Sequence, residues 1–431
     1  MLDARYVAEN LEKVKAALER RNSSWGPIVS ELSGLVQERR VLIGKTEDLA
    51  ARRNAANQEM SALAKGGDKE KFAARRDELK TLATSIKTLE SELGEIVSSL
   101  EEKLTGLPNL PHPDIPTGQS EDDNRVVREW GKKPEFDFEP KAHYELTAGL
   151  FDFDRAAKLS GSRFSVLWGA AARMERALGN YMINVHTEQH GYREVAVPYL
   201  VRSEALFGTG QLPKFEADLF KIPSATEEGE AHYLIPTAEV PVTNLHGNEI
   251  LDPGTLPRAY TALTPSFRSE AGSYGKDVRG LFRQHQFHKV ELVRFVEPEK
   301  SSEELELLLG HAEAILQHLG LHYRVVDLCT GDLSFTSQRT YDLEVWLPSQ
   351  GRYREISSVS CFGDFQARRA KIRYRAAAKQ KPKHVHTLNG SGLAVGRTLI
   401  AVFEQYQNED GSVTVPAALR PLVGQDVIRG E

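Results

Sequence analysis

Two heptad seams dominate the first hundred residues and restrict what this part of the chain can become. Ile28, Leu32, Leu35, Arg39, Leu42, Thr46, Leu49, Arg53, Ala56, Met60 and Leu63 alternate steps of four and three, the spacing that keeps one stripe of a helix turned toward a partner helix. Lys65-Gly66-Gly67-Asp68-Lys69 interrupts the run with the residue most tolerant of turn conformations. A second seam is read through Phe72, Arg76, Leu79, Ala83, Ile86, Glu90, Leu93, Val97, Leu100 and Leu104. Two such helices joined by a glycine turn predict an antiparallel two-helix coiled coil within residues 1–105, each helix roughly 50–60 Å long at ~1.5 Å per residue. No other stretch is suited to cover the hairpin along its length, so it is expected to project as an arm.

Its charge is uneven. Residues 39–80 hold eleven Lys and Arg against seven Asp and Glu, a net +4, whereas residues 81–104 carry a net −3. The whole chain carries −6, so a nucleic-acid partner requires a local basic surface of this kind. A solvated coiled coil laced with i,i+4 pairs accounts for the same charges; a phosphate backbone would also suit the basic half.

Four prolines between Gly106 and Pro116 cannot continue a helix. They predict a linker and connecting segment over residues 106–134, including the acidic Glu121-Asp122-Asp123. Over residues 135–431, β-rich runs such as Val195-Ala196-Val197, Lys289-Val290-Glu291-Leu292-Val293 and Tyr341-Asp342-Leu343-Glu344-Val345-Trp346 alternate with helical stretches, without a regular βαβ rhythm. The fold class expected is α+β, with a mainly antiparallel sheet flanked by helices. The two cysteines, Cys329 and Cys361, form neither a disulfide framework nor a zinc spacing. The start lacks the pattern of a secretory signal, and no apolar run approaches the ~20 residues of a membrane span. A cytoplasmic protein without a membrane partner is expected.

Several nucleotide-binding patterns fail. Gly44-Lys45-Thr46 lies inside a heptad run and lacks the first glycine of a phosphate loop. The glycines from Gly390 to Gly396 miss the dinucleotide spacing. The histidine pairs His285/His288 and His384/His386 read as groups near a nucleotide or on a surface rather than as metal ligands, Cys329 as a buried thiol, and Lys379–His386 as a solvated loop.

The informative stretch runs from Phe267 to Glu291: Phe267-Arg268-Ser269-Glu270, a Gly-containing charged loop, then Phe287-His288-Lys289-Val290-Glu291. It reads as strand, loop and returning strand. Arg268 is suited to bidentate phosphate contact, Phe287 to stacking on a base, and Glu291 closes the segment with a carboxylate. A solvated hairpin with scattered ion pairs has the same composition. This stretch resembles motif 2 of the bacterial-type seryl-tRNA synthetases, which are class II enzymes. Further resemblances follow along the chain: Gly191–Tyr199 with Pro198 to motif 1, Pro236-Thr237-Ala238-Glu239-Val240-Pro241 to the family's serine loop, Tyr353–Ser358 with Asp364–Arg369 to its ATP and metal strand, and Leu388–Arg397 to motif 3.

The resemblance implies a class II antiparallel sheet behind a tRNA-binding helical arm, and an ATP-dependent ligase that joins serine to tRNA(Ser), and to tRNA(Sec) where that is present. It implies Arg268, Glu355 and Arg397 as the catalytic groups. ATP would be held by Arg268, Ser269, Glu270, Phe287, Glu355, Ile356, Ser357, Ser358 and Arg397. Serine would be held by Thr237, Ala238, Glu239, Arg268, Glu291, Asn389 and Ser391, and Mg²⁺ by Glu355 and Ser358. It further implies a homodimer, and tRNA contacts through the arm and the motif 2 loop. One departure stands out. The family usually carries Cys and Asn where Val359 and Cys361 stand, both expected beside the serine and ATP groups. Simple repacking and a specialised second copy with altered affinity for serine or its mimics both fit that change. A shortened homologue that charges a carrier protein would not need the arm. A non-catalytic coiled-coil interaction protein would not need Arg268, Glu355 and Arg397 together.

Overall fold

The computed structural model describes residues 1–21, 24–66, 69–223, 231–271 and 279–430. The chain separates into two compact units, Met1–Pro108 and Asn109–Glu431.

The first unit is helical: α1 (Ala4–Glu9), α2 (Leu11–Glu19), α3 (Gly26–Gly66) and α4 (Lys69–Gly106). The α3 seam follows the expected spacing. Leu32, Leu42 and Ala56 are buried, and Arg39 alone among the eleven seam positions is exposed. Gly44-Lys45-Thr46 lies in mid-helix, where Thr46 Oγ1 donates to the Leu42 carbonyl at 2.8 Å. Gly67 and Asp68, two of the five residues of the expected turn, lie outside the described residues.

The α4 seam is displaced from the one read in the sequence. Leu82, Ile86, Ile96, Leu100 and Leu104 are buried, whereas Arg76, Ala83 and Glu90 are exposed. The interface therefore runs through positions 72, 75, 79, 82, 86, 89, 93, 96 and 100. The expected seam shares Phe72, Leu79, Ile86, Leu93 and Leu100 with it and misses the positions between. Leu82, Leu89 and Ile96 remove more apolar area from water than Ala83, Glu90 and Val97, at about 25 cal/mol per Å², and this sets the phase. Arg75 is drawn into the interface, where it pairs with Glu59 of α3 and Glu78 of α4. Lys103 pairs with Glu31 at 2.8 Å.

The second unit is built on an eight-stranded sheet. Its principal elements are β1 (Arg125–Trp130), α5 (Gly169–Glu188), β2 (Arg193–Glu194), β3 (Arg258–Phe267), β4 (Gln286–Val296), α6 (Ser301–His318), β5 (Tyr323–Asp327), β6 (Arg339–Leu347), β7 (Arg352–Gly363), β8 (His386–Ala394) and α7 (Val395–Gln405). The strand order is β1-β5-β6-β7-β8-β4-β3-β2. All pairings are antiparallel except β2 with β3, as the α+β reading expected.

Two local expectations change. The stretch from Arg125 to Trp130, within the expected connecting segment, adds as an edge strand against Tyr323–Asp327. Val195–Val197 is not a strand: β2 ends at Glu194, and Val195 adds a single hydrogen bond to the Thr261 carbonyl at 2.9 Å. Pro198 follows at once and has no N–H to extend a ladder.

Helices α5, α6 and α7 cover one face of the sheet with Met174, Leu178, Met182, Leu308, Ile315, Leu399 and Phe403, all fully buried. Strand β4 is buried along most of its length. Its alternation sends Val290, Leu292 and Val296 into that core. Phe287, Lys289 and Glu291 point to the other face, where a cleft opens. Among the described residues, no helix is long and apolar enough to cross a membrane.

Candidate active site

Strand alternation gathers the site. Phe287, Lys289 and Glu291 on β4, Ser358, Ser360 and Phe362 on β7, and Asn389 and Ser391 on β8 line one cleft of roughly 540 Å³. Adjacent segments add Thr237 and Glu239, Arg268 and Glu270 beyond the end of β3, Glu355 and Ile356 on β7, and Arg397 in the first turn of α7. Gly390 and Gly392 allow the strands and helix behind the cleft to close up. A β-carbon would meet Val359 at 2.9 Å in the first case and His186 at 2.6 Å in the second, and His186 Nε2 lies 2.7 Å from the Gly392 carbonyl oxygen.

Three expected site residues stand apart from the cleft wall. Ala238 is fully buried in a hydrophobic cluster with Val242 and Phe295. Ser357 points to the opposite side of β7 from Ser358 and donates to the Ser391 carbonyl at 2.7 Å. Ser269 donates through Oγ to the Ala217 carbonyl at 2.6 Å and through its N–H to the Asp218 carbonyl at 3.0 Å. Val359 and Cys361 also turn away, into the core packed on α5–α7. Their departure from the family pattern is therefore a change of core packing on the far face of β7. Burial pushes the Cys361 thiol up to about 11. Residues 272–278 of the motif 2 loop lie outside the described residues.

Eight ionisable side chains line the cleft: Glu239, Arg268, Glu270, Arg283, Lys289, Glu291, Glu355 and Arg397. Three pairs are matched within the protein. Arg283 bonds Glu270 at 2.5 Å, Lys289 pairs with Glu291, and Arg397 pairs with Glu355 at 3.2 Å. Glu270 holds its place with φ at +52°, a backbone conformation costly for a residue with a β-carbon. One carboxylate and one guanidinium have no ion-pair partner among the described residues. Glu239 accepts a 2.6 Å bond from the Gln366 amide. Arg268 donates to the Pro236 carbonyl at 3.3 Å and lies 5.4 Å from the Phe287 ring centre. Burial, then the charge of Glu291, push the Glu239 carboxyl up to about 7 against the opposing pull of the Gln366 hydrogen bond.

The sequence reading gave no role to Lys289, Arg283 or Gln366. Lys289 carried a usable signal, since it shares a strand face with Phe287 and Glu291. Gln366 carried none, because its partners Glu239 and Thr387 are 127 and 21 residues away. The pair His285/His288 holds structural contacts: His285 Nδ1 lies 2.9 Å from the Arg268 carbonyl oxygen, and His288 lies 3.1 Å from Glu175.

The arrangement provides an aromatic face beside a guanidinium, a second guanidinium at a helix start, and oxygen donors between them. It therefore suits a nucleotide triphosphate next to a small zwitterion. Known proteins agree. Residues 219–406 match the tRNA synthetase class II core domain (G, H, P, S and T), and residues 1–111 match the seryl-tRNA synthetase N-terminal domain. A serine–tRNA ligase of Sorangium cellulosum is 58% identical over 434 residues, covering 100% of both chains. The seryl-tRNA synthetase of Pyrococcus horikoshii, solved in complex with ATP, superposes with a TM-score of 0.93 at 36% identity over 100% of both chains. The cytoplasmic serine–tRNA ligase of Naegleria fowleri, in complex with AMP, gives 0.88 at 28% identity over 100% of this chain and 99% of its own. With both of its units matched and its full length shared, the chain belongs to the seryl-tRNA synthetase family of class II aminoacyl-tRNA synthetases.

Proposed function

We propose that this chain activates L-serine with ATP and transfers the seryl group to tRNA(Ser), and to tRNA(Sec) where a host makes it. The observation that carries the reading is the unmatched pair in the cleft. Every other ionisable side chain there has a counter-charge, while among the described residues Glu239 and Arg268 have none and are left to serve a substrate that carries both charges. Glu239 takes the serine ammonium. Arg268 holds the α-phosphate and the attacking carboxylate together, with adenine against Phe287. Glu270 borders the same space.

Glu291 supports serine as the amino acid. Thr237 Oγ1, at 2.9 Å, and Lys289 Nζ both contact its Oε2, which leaves Oε1 to accept the serine hydroxyl beside Asn389 and Ser391. A buried acceptor left unpaired by alanine would discriminate against it by a factor on the order of 10⁴.

In the first step a serine carboxylate oxygen attacks the α-phosphorus in line. The bond to the bridging oxygen breaks and pyrophosphate departs. The 3′-hydroxyl of the terminal tRNA adenosine then attacks the seryl carbonyl and AMP leaves. No protein nucleophile takes part; the side chains align the reactants and offset developing charge. Arg397 exchanges Glu355 for the γ-phosphate. The released Glu355 and Ser358 would hold Mg²⁺, which supplies positive charge to the phosphates and prefers oxygen ligands while keeping several waters. Asp342 fits that donor set: it is opposite Ser358 in the β6–β7 ladder, and its Oδ1 is buried without a hydrogen-bond partner among the described residues.

The exposed Arg39, Arg40, Lys45 and Arg52 of α3 support tRNA binding by the arm, with the motif 2 loop meeting the acceptor end. A homodimer through the motif 1 edge agrees with the exposed Tyr199 and Leu200. Serine-dependent ATP–pyrophosphate exchange without tRNA tests the reading; its absence in folded protein would exclude it.

A further inference from the structure

The two glutamates of the serine pocket differ in partner. Glu239 meets a neutral amide. Thr387 Oγ1 donates to Gln366 Oε1 at 2.7 Å, and this fixes the amide so that its NH₂ end faces Glu239. Glu239 thus has a neutral hydrogen-bond partner and no ion-pair partner among the described residues. Glu291 meets an ammonium: Lys289 Nζ sits on its Oε2, with the two side chains 10% and 1% exposed. Enclosed to that degree, the pair presents a hydrogen-bond acceptor without net charge. The pocket therefore carries one surplus carboxylate, enough for one ammonium.

We propose that Lys289 is a specificity-determining residue: by neutralising Glu291 it makes the side-chain end of the pocket accept a hydroxyl and refuse a second ammonium. The excluded class is amino acids with a cationic group at the serine-hydroxyl position, of which L-2,3-diaminopropionate is the smallest. A second ammonium would enter a site already electrically balanced. It would also lie against the Lys289 charge, and like charges in an enclosed site repel strongly. The inference rests on the proposal that serine occupies this cleft.

The test compares kcat/KM in pyrophosphate exchange for serine and for L-2,3-diaminopropionate. Wild-type enzyme should prefer serine by a factor on the order of 10³ or more. Lys289→Met should shift that ratio toward the diamine by on the order of a hundredfold, because Glu291 regains an uncompensated charge. The KM for ATP should stay within about threefold, since the phosphate-binding arginines are untouched. Lys289→Arg should retain the wild-type preference. The double variant Lys289→Met/Glu291→Gln, balanced again, should return to refusing the diamine, and this arm stands even if the single variant folds poorly. An unchanged ratio in Lys289→Met with ATP binding retained would overturn the proposal. So would a double variant that accepts the diamine as readily as serine. A wild-type enzyme without serine-dependent exchange would instead remove the underlying functional reading.

Discussion

In the helical unit, Arg39, Arg40, Lys45 and Arg52 stand exposed on α3. In the catalytic cleft, Lys289 pairs with Glu291 and Arg283 with Glu270, all four side chains under a third exposed. The two regions use the same ionisable residue types under different physical rules. Exposed charges are screened by salt and act additively on a distant polyanion. Enclosed charges must balance locally, and a single imbalance decides what can bind. On the proposed function, affinity for a large partner is separated from choice of a small one.

The strongest challenge to that contrast is removal of Glu239, the cleft carboxylate without an ion-pair partner among the described residues. Glu239→Gln should raise the KM for serine by on the order of a hundredfold, because a charged hydrogen bond in an enclosed site is worth roughly 2–5 kcal/mol. The KM for ATP should change little. In the unaltered enzyme the same group sets a pH dependence. The Glu239 carboxyl lies at about 7, so its ionised form, proposed above to take the serine ammonium, is lost as pH falls through that value. Serine KM at pH 6 should be about tenfold above that at pH 8, and ATP KM should not follow.

Exposed charges should behave otherwise. Replacing Arg39, Arg40, Lys45 and Arg52 by Gln together should weaken tRNA binding about tenfold or more. The salt dependence of binding should flatten by up to roughly 0.9 for each phosphate that is no longer neutralised. Pyrophosphate exchange should remain unchanged. A loss of exchange, or an unaltered salt slope, would place the arm's charges in another role.

A separate expectation concerns the arm's own packing. Leu82 is 5% exposed, so Leu82→Ala should destabilise the helical unit by about 2–5 kcal/mol. Ala83→Ser, on the solvent side, should stay within about 0.5 kcal/mol. Denaturant midpoints of the two variants check the seam phase directly.

That seam shows where local sequence was and was not sufficient. In α4 two templates share every second position, and only side-chain size at the others, Leu82 and Leu89 against Ala83 and Glu90, separates them. The information was present, but spacing alone did not rank it. Strand alternation was equally available at Val359 and Cys361: flanked by Ser358, Ser360 and Phe362 on the cleft side, they had to face the core. The run Val195-Ala196-Val197 has strand composition, yet the Pro198 that follows limits it. The partners of Glu239 could not be read in advance. Gln366 and Thr387 come from a helix and a strand distant in sequence, and only the folded sheet brings them to the serine loop. Family resemblance named most of the residues around the cleft, but it could not show which charges there remain uncompensated.

The separation between arm and cleft is tested most directly by deleting residues 30–102 and measuring two activities on the same preparation. Serine-dependent pyrophosphate exchange should remain within about twofold of the intact enzyme, while aminoacylation of tRNA(Ser) should fall by on the order of 10³ as the arm's hold on the phosphate backbone disappears. Undiminished aminoacylation would contradict the assignment of tRNA binding to the arm, and loss of exchange in the folded remainder would contradict the independence of the cleft.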